Sequence, residues 1–202
     1  ALEMYFEALS SLNEEHQELF EIYKNMGNIY VKMRDFEGAE EYYNKAHTIC
    51  SASDVLFVNY GTLEFQKADY EKSRMCFRRA VELNPENDRA WAGLAMVHCQ
   101  YGDQELAMGN ILKSVELNPR NRTAHILASE WLMNSKQWST CIELLQNYLH
   151  SNEHDEDLSL RLIHCFCELK KFDLAQIELT RCLVWNPQNQ HLWKVMELLG
   201  NQ

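Results

Sequence analysis

The chain has 202 residues and a formal net charge of −11, from 19 lysine and arginine residues against 30 aspartate and glutamate residues. An acidic surface repels the phosphate backbone of nucleic acids, so the composition argues against a nucleic-acid partner. No apolar run in the sequence approaches the length of a membrane-spanning helix, so we expect no membrane partner.

Three prolines, Pro85, Pro119 and Pro187, stand at a regular spacing along the chain. The first two are 34 residues apart and the last two are 68 apart, which is twice that period. Each lies in the pattern Asn-Pro-x-Asn. A fixed period of this length predicts a repeat array, in which each unit buries its apolar face against its neighbours.

Columns of small and bulky residues carry the same register along most of the chain. The small column is Ala39, Ser73, Ala107, Cys141 and Ala175, and the bulky column is Tyr43, Phe77, Ile111, Leu145 and Leu179. We expect a capping helix or the end of a preceding repeat at 1–19, and a partial repeat or capping helix at 190–202. Between them we expect five repeats, at 20–53, 54–87, 88–121, 122–155 and 156–189.

Each repeat predicts two helices, because its apolar residues recur at helical spacing. The inner turns of the first three repeats carry Asp35, Asp69 and Asp103, which can cap the helix that follows. The last inner turn is expected at 171–173. The outer turns carry the Asn-Pro pair, and proline ends a helix. No alternating strand pattern is present, so the sequence predicts an all-α fold.

These residues resemble the tetratricopeptide repeat family. The period matches, and the pattern of aromatic, Leu, small residue, then small, bulky, small and Pro is clearest in Trp91-Leu94-Ala95 with Ala107-Ile111-Ser114-Pro119. The resemblance covers about residues 20–200 and implies a right-handed superhelical solenoid of helix-turn-helix repeats. The fourth repeat departs most, because His125, Ser129, Tyr148 and Glu153 replace an aromatic residue, Gly, Ala and Pro.

Both ends of the array carry apolar helices that can cap it or dock on another copy. The N-terminal residues are Leu2, Met4, Tyr5, Phe6, Leu9 and Leu12, and the C-terminal ones are Leu192, Trp193, Val195, Met196, Leu198 and Leu199. Capping leaves a monomer, whereas docking builds a homo-oligomer. A self-assembling structural protein is therefore one alternative function.

Cysteine usage favours a reducing compartment and hence the cytoplasm, since the seven cysteines are odd in number and several fall in small-residue columns. A metal site at His164, Cys165 and Cys167 is not expected, because residues two apart on a helix do not share a face. The sequence has no phosphate-binding glycine loop and no nucleophile-elbow pattern. We therefore expect no enzyme activity and no cofactor.

The resemblance places the first helix of each repeat on a concave face, where a partner would bind. The predicted function is a non-enzymatic scaffold or adaptor that binds a peptide or helical segment of a protein partner in an apolar groove. The predicted groove residues are Val55, Val58, Asn59, Phe65, Arg89, Met96, Cys99, Ile126, Leu127 and Met133. The competing interpretation of these apolar residues is that helix packing covers them.

A second site implied by the resemblance is the carboxylate clamp of chaperone-binding members, which grips the C-terminal carboxylate of a peptide. Its residues would be Lys24, Asn28, Asn59 and Arg89. The last base of the clamp is absent, because Gly93 stands at its position. A co-chaperone module is therefore a further alternative, with a weaker grip on an acidic tail.

Overall fold

The computed structural model describes residues 2–11 and 16–200, which form twelve α-helices and contain no strand. The predicted all-α fold is confirmed. The helices are α1 Leu2–Ser11, α2 His16–Lys32, α3 Phe36–Ile49, α4 Asp54–Gln66, α5 Tyr70–Leu83, α6 Asp88–Gln100, α7 Gln104–Leu117, α8 Arg122–Asn134, α9 Trp138–Ser151, α10 Glu156–Glu168, α11 Phe172–Trp185 and α12 Gln190–Gly200. None of these described helices is both long and apolar enough to cross a bilayer.

The chain divides into two units, with the boundary between Ser114 and Val115 inside α7. In unit 1, α2 packs against α3 and α4 against α5, while α4 also contacts α2 and α6. In unit 2, α9 packs against α8 and α10, and α11 packs against α10 and α12. The helices from α1 to α6 and from α8 to α12 therefore pack successively as neighbours, as a repeat array requires.

Close helix packing within a repeat depends on the small residues of the register. A Cβ atom added at Gly27 would lie 2.3 Å from the ring of Tyr43, and one added at Gly61 would lie 2.8 Å from the ring of Phe77. Ser73 is fully buried, and its hydroxyl donates to the carbonyl oxygen of Gly61 at 2.8 Å. The bulky ring of the second helix thus fits against the bare backbone of the first.

The five inner turns share one backbone geometry. The residues Arg34, Ala68, Gly102, Lys136 and Lys170, spaced by the repeat period, all have positive φ between 56° and 76°. In the first turn, the N–H of Arg34 donates to the carbonyl of Val31 and the N–H of Asp35 to that of Tyr30, both at 3.0 Å. This is a Schellman motif, which satisfies the last carbonyls of a helix. The last inner turn lies at 170–171, one residue before its predicted start, because α11 already begins at Phe172.

Polar contacts hold two of the outer turns. Asn84 and Asn87 both donate to the Asp54 carboxylate at 2.8 Å, and Trp91 donates its indole N–H to the carbonyl of Pro85 at 2.8 Å. The same contacts recur in unit 2. There Asn186 and Asn189 donate to the carboxylate of Glu156, and Trp193 donates to the carbonyl of Pro187. The Asn-Pro-x-Asn pattern therefore links the end of one repeat to the start of its own first helix.

The segment predicted to cap the N-terminus, 1–19, holds α1 and the first residues of α2. Met4 is 72% exposed and Phe6 is 47% exposed. Leu12 lies outside the described residues, and so does the side chain of Leu9. The division of the chain into five repeats and two end segments stays a prediction.

Candidate functional site

The first helices of unit 1 leave one row of side chains at the surface. On α4, Leu56 and Leu63 are buried, whereas Val55, Asn59 and Thr62 lie one turn apart on another side of the helix. The neighbouring helices α2 and α6 contribute equivalent positions. We call this surface the first-helix face, defined by Asn28, Lys32, Val55, Asn59, Thr62, Arg89 and Met96.

Two residues predicted for an open groove pack elsewhere. Val58 is only 7% exposed, in a core cluster that includes Phe77 and Leu94. The ring of Phe65 packs against the same cluster, with its centroid 5.4 Å from that of Tyr70. Residues 58 and 65 are two turns apart, so both point from α4 toward the same core. The first-helix face is accordingly less apolar than the sequence predicts.

The remaining predicted apolar residues of unit 1 stay accessible. Val55 is 38% exposed, and Met96 and Cys99 are half-buried. They alternate with polar side chains along α4 and α6. The face is therefore mixed, with isolated apolar contacts between hydrogen-bonding groups.

Asn59 has a buried donor without a partner. Its Nδ2 atom is inaccessible to solvent and makes no hydrogen bond within the described part of the chain. Leaving such a donor unsatisfied costs about 1–3 kcal/mol. One period further on, at the same position of α6, stands Gly93, which is itself buried. A ligand reaches this orphan amide only when the Asn59 side chain turns outward from its buried position.

The clamp residues do not act as one set of free donors. The ammonium of Lys24 pairs with Glu21 and lies 5.6 Å from the centroid of the Phe20 ring. Asn28 accepts a hydrogen bond of 2.7 Å from the hydroxyl of Tyr43. Arg89 is exposed and makes no ion pair within residues 2–11 and 16–200.

Packing explains why the clamp lacks its last base. A Cβ atom at position 93 would lie 2.3 Å from the ring of Phe77, so the site does not admit a side chain without a shift of that ring. Of the clamp residues, Arg89 alone combines a cationic head with an exposed side chain.

Unit 2 contains the other predicted groove residues, Ile126, Leu127 and Met133, all half-buried on α8. Close to them the fourth repeat departs from the pattern. His125 is 1% exposed, and its Nδ1 atom donates to the carbonyl of Asn121 at 2.9 Å. The centroid of its ring lies 4.5 Å from that of Tyr148. A histidine and a tyrosine thus fill together the space that an aromatic residue and an alanine would occupy.

The predicted C-terminal docking residues are accessible in part. Trp193 is 50% exposed and Leu198 is 69% exposed, whereas Leu192 and Leu199 are buried. Among the described residues, no group of three or more His, Cys, Asp or Glu side chains could hold a metal ion. His164 is exposed and Cys165 is fully buried.

Comparison with known proteins identifies two repeats in unit 1. The tetratricopeptide repeat family matches residues 20–51, and a second description of the same repeat matches residues 56–87. No curated protein matches the sequence. Both matched segments lie in unit 1, where the register is most regular.

Solved structures of tetratricopeptide repeat proteins share the fold. YrrB, titled a TPR protein with an unusual peptide-binding site, has a TM-score of 0.62 at 17% identity, over 91% of this chain and 98% of its own. PilF of Pseudomonas aeruginosa has a TM-score of 0.61 at 16% identity, over 91% of this chain and 99% of its own. A protein from Parabacteroides merdae has a TM-score of 0.64 at 16% identity, over 90% of this chain and 72% of its own. The predicted fold class, an all-helical array of this repeat, is thereby confirmed.

Proposed function

Because this chain belongs to the tetratricopeptide repeat family, we propose that it is a non-enzymatic scaffold that binds an extended peptide segment of a partner protein on its first-helix face. Asn59 carries the proposal. Once its side chain turns outward, its unsatisfied amide N–H can donate to a backbone carbonyl of the peptide, and such a bond would recover the cost of the orphan donor. YrrB, which shares the fold, has a peptide-binding site.

The surroundings of Asn59 suit a peptide with alternating contacts. Val55 lies one turn before Asn59 on α4, and Arg89 and Met96 lie on the adjacent helix α6. Apolar peptide side chains would contact Val55 and Met96, while Arg89 would contact an acidic group. Binding energy at such interfaces concentrates in a few contacts.

The test begins with peptides selected from a random display library against the wild-type protein. Asn59→Ala should weaken binding of a selected peptide about tenfold or more, because it removes the donor. The same change should not lower the free energy of unfolding and should raise it by up to about 1–3 kcal/mol, because it removes a buried donor that has no partner in the free protein.

A pair of methionines supplies the matched control for the apolar contact. Met96→Glu should weaken binding of the peptide. Met75→Glu should leave binding unchanged, because Met75 is 62% exposed on the second helix α5, outside the first-helix face. Fluorescence anisotropy measures both dissociation constants. Equal affinities for all three variants and the wild type would exclude the first-helix face.

The carboxylate clamp predicts another result. Peptides ending in an acidic residue would be selected, and Lys24→Ala would weaken their binding as much as Arg89→Ala does. The pairing of Lys24 with Glu21 and the packing at Gly93 both argue against this outcome.

Self-assembly remains a second candidate because Trp193 and Leu198 are exposed on the C-terminal helix α12. Sedimentation at rising concentration tests it. Self-assembly predicts an increasing mass that Trp193→Glu abolishes.

A further inference from the structure

Unit 2 contains an apolar groove on its second helices, away from the residues predicted to bind a partner. The groove has a volume of about 340 Å³ and lies between α9 and α11. Its floor is formed by Leu162 and Phe166 of α10, each 3% exposed, and its wall by Leu174 and Ile177 of α11, which are 42% and 66% exposed. Two large apolar side chains are thus held at the surface beside an apolar floor.

Helix packing does not require this apolar lining. Three periods earlier, the positions of Leu162, Phe166 and Leu174 hold Tyr60, Glu64 and Lys72, respectively. There Tyr60 donates its hydroxyl to Asn44 at 2.7 Å, and Lys67 pairs with Glu64 at 3.0 Å and with Glu40 at 3.3 Å. Polar side chains therefore occupy these three positions in unit 1, where the position of Ile177 holds the exposed Met75, while unit 2 is apolar at all four.

The rim of the groove carries two acids, Glu153 and Glu178, together with Arg181 and His150. The guanidinium of Arg181 donates to the carboxylate of Glu178, the hydroxyl of Ser159 and the backbone carbonyl of Glu153. The carboxylate of Glu153 is exposed and accepts no hydrogen bond from the described residues. Arg181 also interacts electrostatically with Glu153, so one guanidinium faces two carboxylates and an excess of negative charge remains at this end of the groove.

From these observations we propose that the groove binds an amphipathic helix of a basic partner protein, with an apolar ridge against Leu174 and Ile177 and a lysine or arginine beside Glu153. Helices α9 and α11 are each 14 residues long, so the groove matches a helix of similar length. This is recognition of a helix in a groove, read through apolar residues one turn apart. A second copy fits less well, because it would bring the same net charge of −11.

The probe is a synthetic helical peptide of about 14 residues, with leucines at i, i+3, i+4 and i+7 and lysines on its other face. A comparison peptide keeps the leucines and replaces every lysine by glutamate. The protein variant carries Leu174→Lys and Ile177→Glu. Both new residues occur at these register positions in other repeats, as Lys72 and as Glu41 and Glu143, so the variant should fold.

The control variant makes the same two changes outside the groove. Leu106→Lys and Met75→Glu alter the equivalent register positions in earlier repeats, where the side chains are 51% and 62% exposed. The net charge changes equally in both variants. General attraction between the basic peptide and the acidic protein would therefore affect them alike.

Fluorescence anisotropy measures the affinities, and circular dichroism verifies the fold of each variant. We expect the wild type to bind the lysine peptide about tenfold or more tightly than the groove variant does, and within about twofold of the control variant. Glu153→Gln should reduce the preference for the lysine peptide over the glutamate peptide.

Four results would overturn the proposal. They are no binding of the lysine peptide by the wild type, equal loss in both variants, equal affinity for the two peptides, and a concentration-dependent mass that the groove variant abolishes. The last result would assign the groove to a second copy of this chain.

Discussion

The ring of Phe77 restricts which side chains fit at two positions, one on α4 and one on α6. Its ring lies where a Cβ atom at Gly61 would come within 2.8 Å and one at Gly93 within 2.3 Å. The glycine at position 93 is therefore a packing requirement of this ring. A family feature that needs a base at this position is lost because the Phe77 ring occupies the space that the Cβ atom of residue 93 would need.

Substitution at Gly93 tests this contact. Gly93→Ala should lower the free energy of unfolding by about 1–3 kcal/mol, because the ring must shift. Phe77→Leu should relieve the clash, since Leu145 and Leu179 occupy the same register position. Chemical denaturation of the single and double variants gives the coupling energy, which we expect to be about 1 kcal/mol or more.

Gly109 is the control for helix propensity. It lies in α7, and a Cβ atom added there would meet no atom within 4 Å. Gly109→Ala should raise stability by about 0.5–1 kcal/mol. Additive effects of Gly93→Ala and Phe77→Leu would show that the ring does not restrict position 93.

At the scale of the element, the inner turn is the most regular feature of the fold. All five turns place a residue at positive φ, yet Gly102 is the only glycine among the five. Non-glycine residues carry a cost of about 1–2 kcal/mol in this conformation. The Schellman hydrogen bonds and the packing of the two helices offset that cost in the other four turns.

Reciprocal substitutions measure the cost in two equivalent turns. Ala68 is exposed, and no atom lies within 4 Å of a Cβ atom at Gly102, so neither change alters packing. We expect Ala68→Gly to raise and Gly102→Ala to lower the free energy of unfolding, each by about 1 kcal/mol. Urea denaturation measures both, and shifts of the same sign would contradict the shared turn geometry.

At the scale of the whole molecule, two half-buried carboxylates and one buried histidine make stability depend on pH. Burial raises the pKa of Asp54, but hydrogen bonds from Asn87 and Asn84 outweigh it, so the net pKa is lowered. Burial also raises the pKa of Asp155, but Arg122 outweighs it, so the net pKa is lowered. The guanidinium of Arg122 lies 2.7 Å from the Asp155 carboxylate. Stability from both carboxylates is present above their unfolded pKa and is lost as pH falls through the folded pKa.

His125 should affect stability at a higher pH than the two carboxylates do. Burial holds its pKa below the ordinary value of 6.5, with the hydrogen bond to Asn121 opposing in part. Since the unfolded chain takes up the proton first, this contribution to stability is fully present above about pH 6.5 and is lost progressively below it. Acidification should thus weaken the fold before the carboxylates titrate.

Melting temperatures of wild type and His125→Phe, measured from about pH 7.5 to about pH 5, test this assignment. Phe57 is the aromatic residue at the same register position of the second repeat. The wild type should lose more stability than the variant over this range. Parallel curves would assign the acid sensitivity to other groups.

Much of the fold follows from the sequence alone. The period of the prolines, the helix pairs and the positions of the turns depend on local chemistry: helical periodicity, capping and the conformational limits of proline. Even the single shifted turn, at 170–171, keeps the 34-residue spacing of the earlier turns.

Tertiary structure decides which side chains remain for a partner. Val55 and Val58 are equally apolar on one helix, yet packing buries Val58 and leaves Val55 at the surface. The orphan amide of Asn59 and the exposed wall formed by Leu174 and Ile177 likewise have no sequence signal that separates them from core residues. The physical reason is that exposure depends on how a helix is rotated against its neighbours, and that rotation is set by contacts between residues distant in the chain.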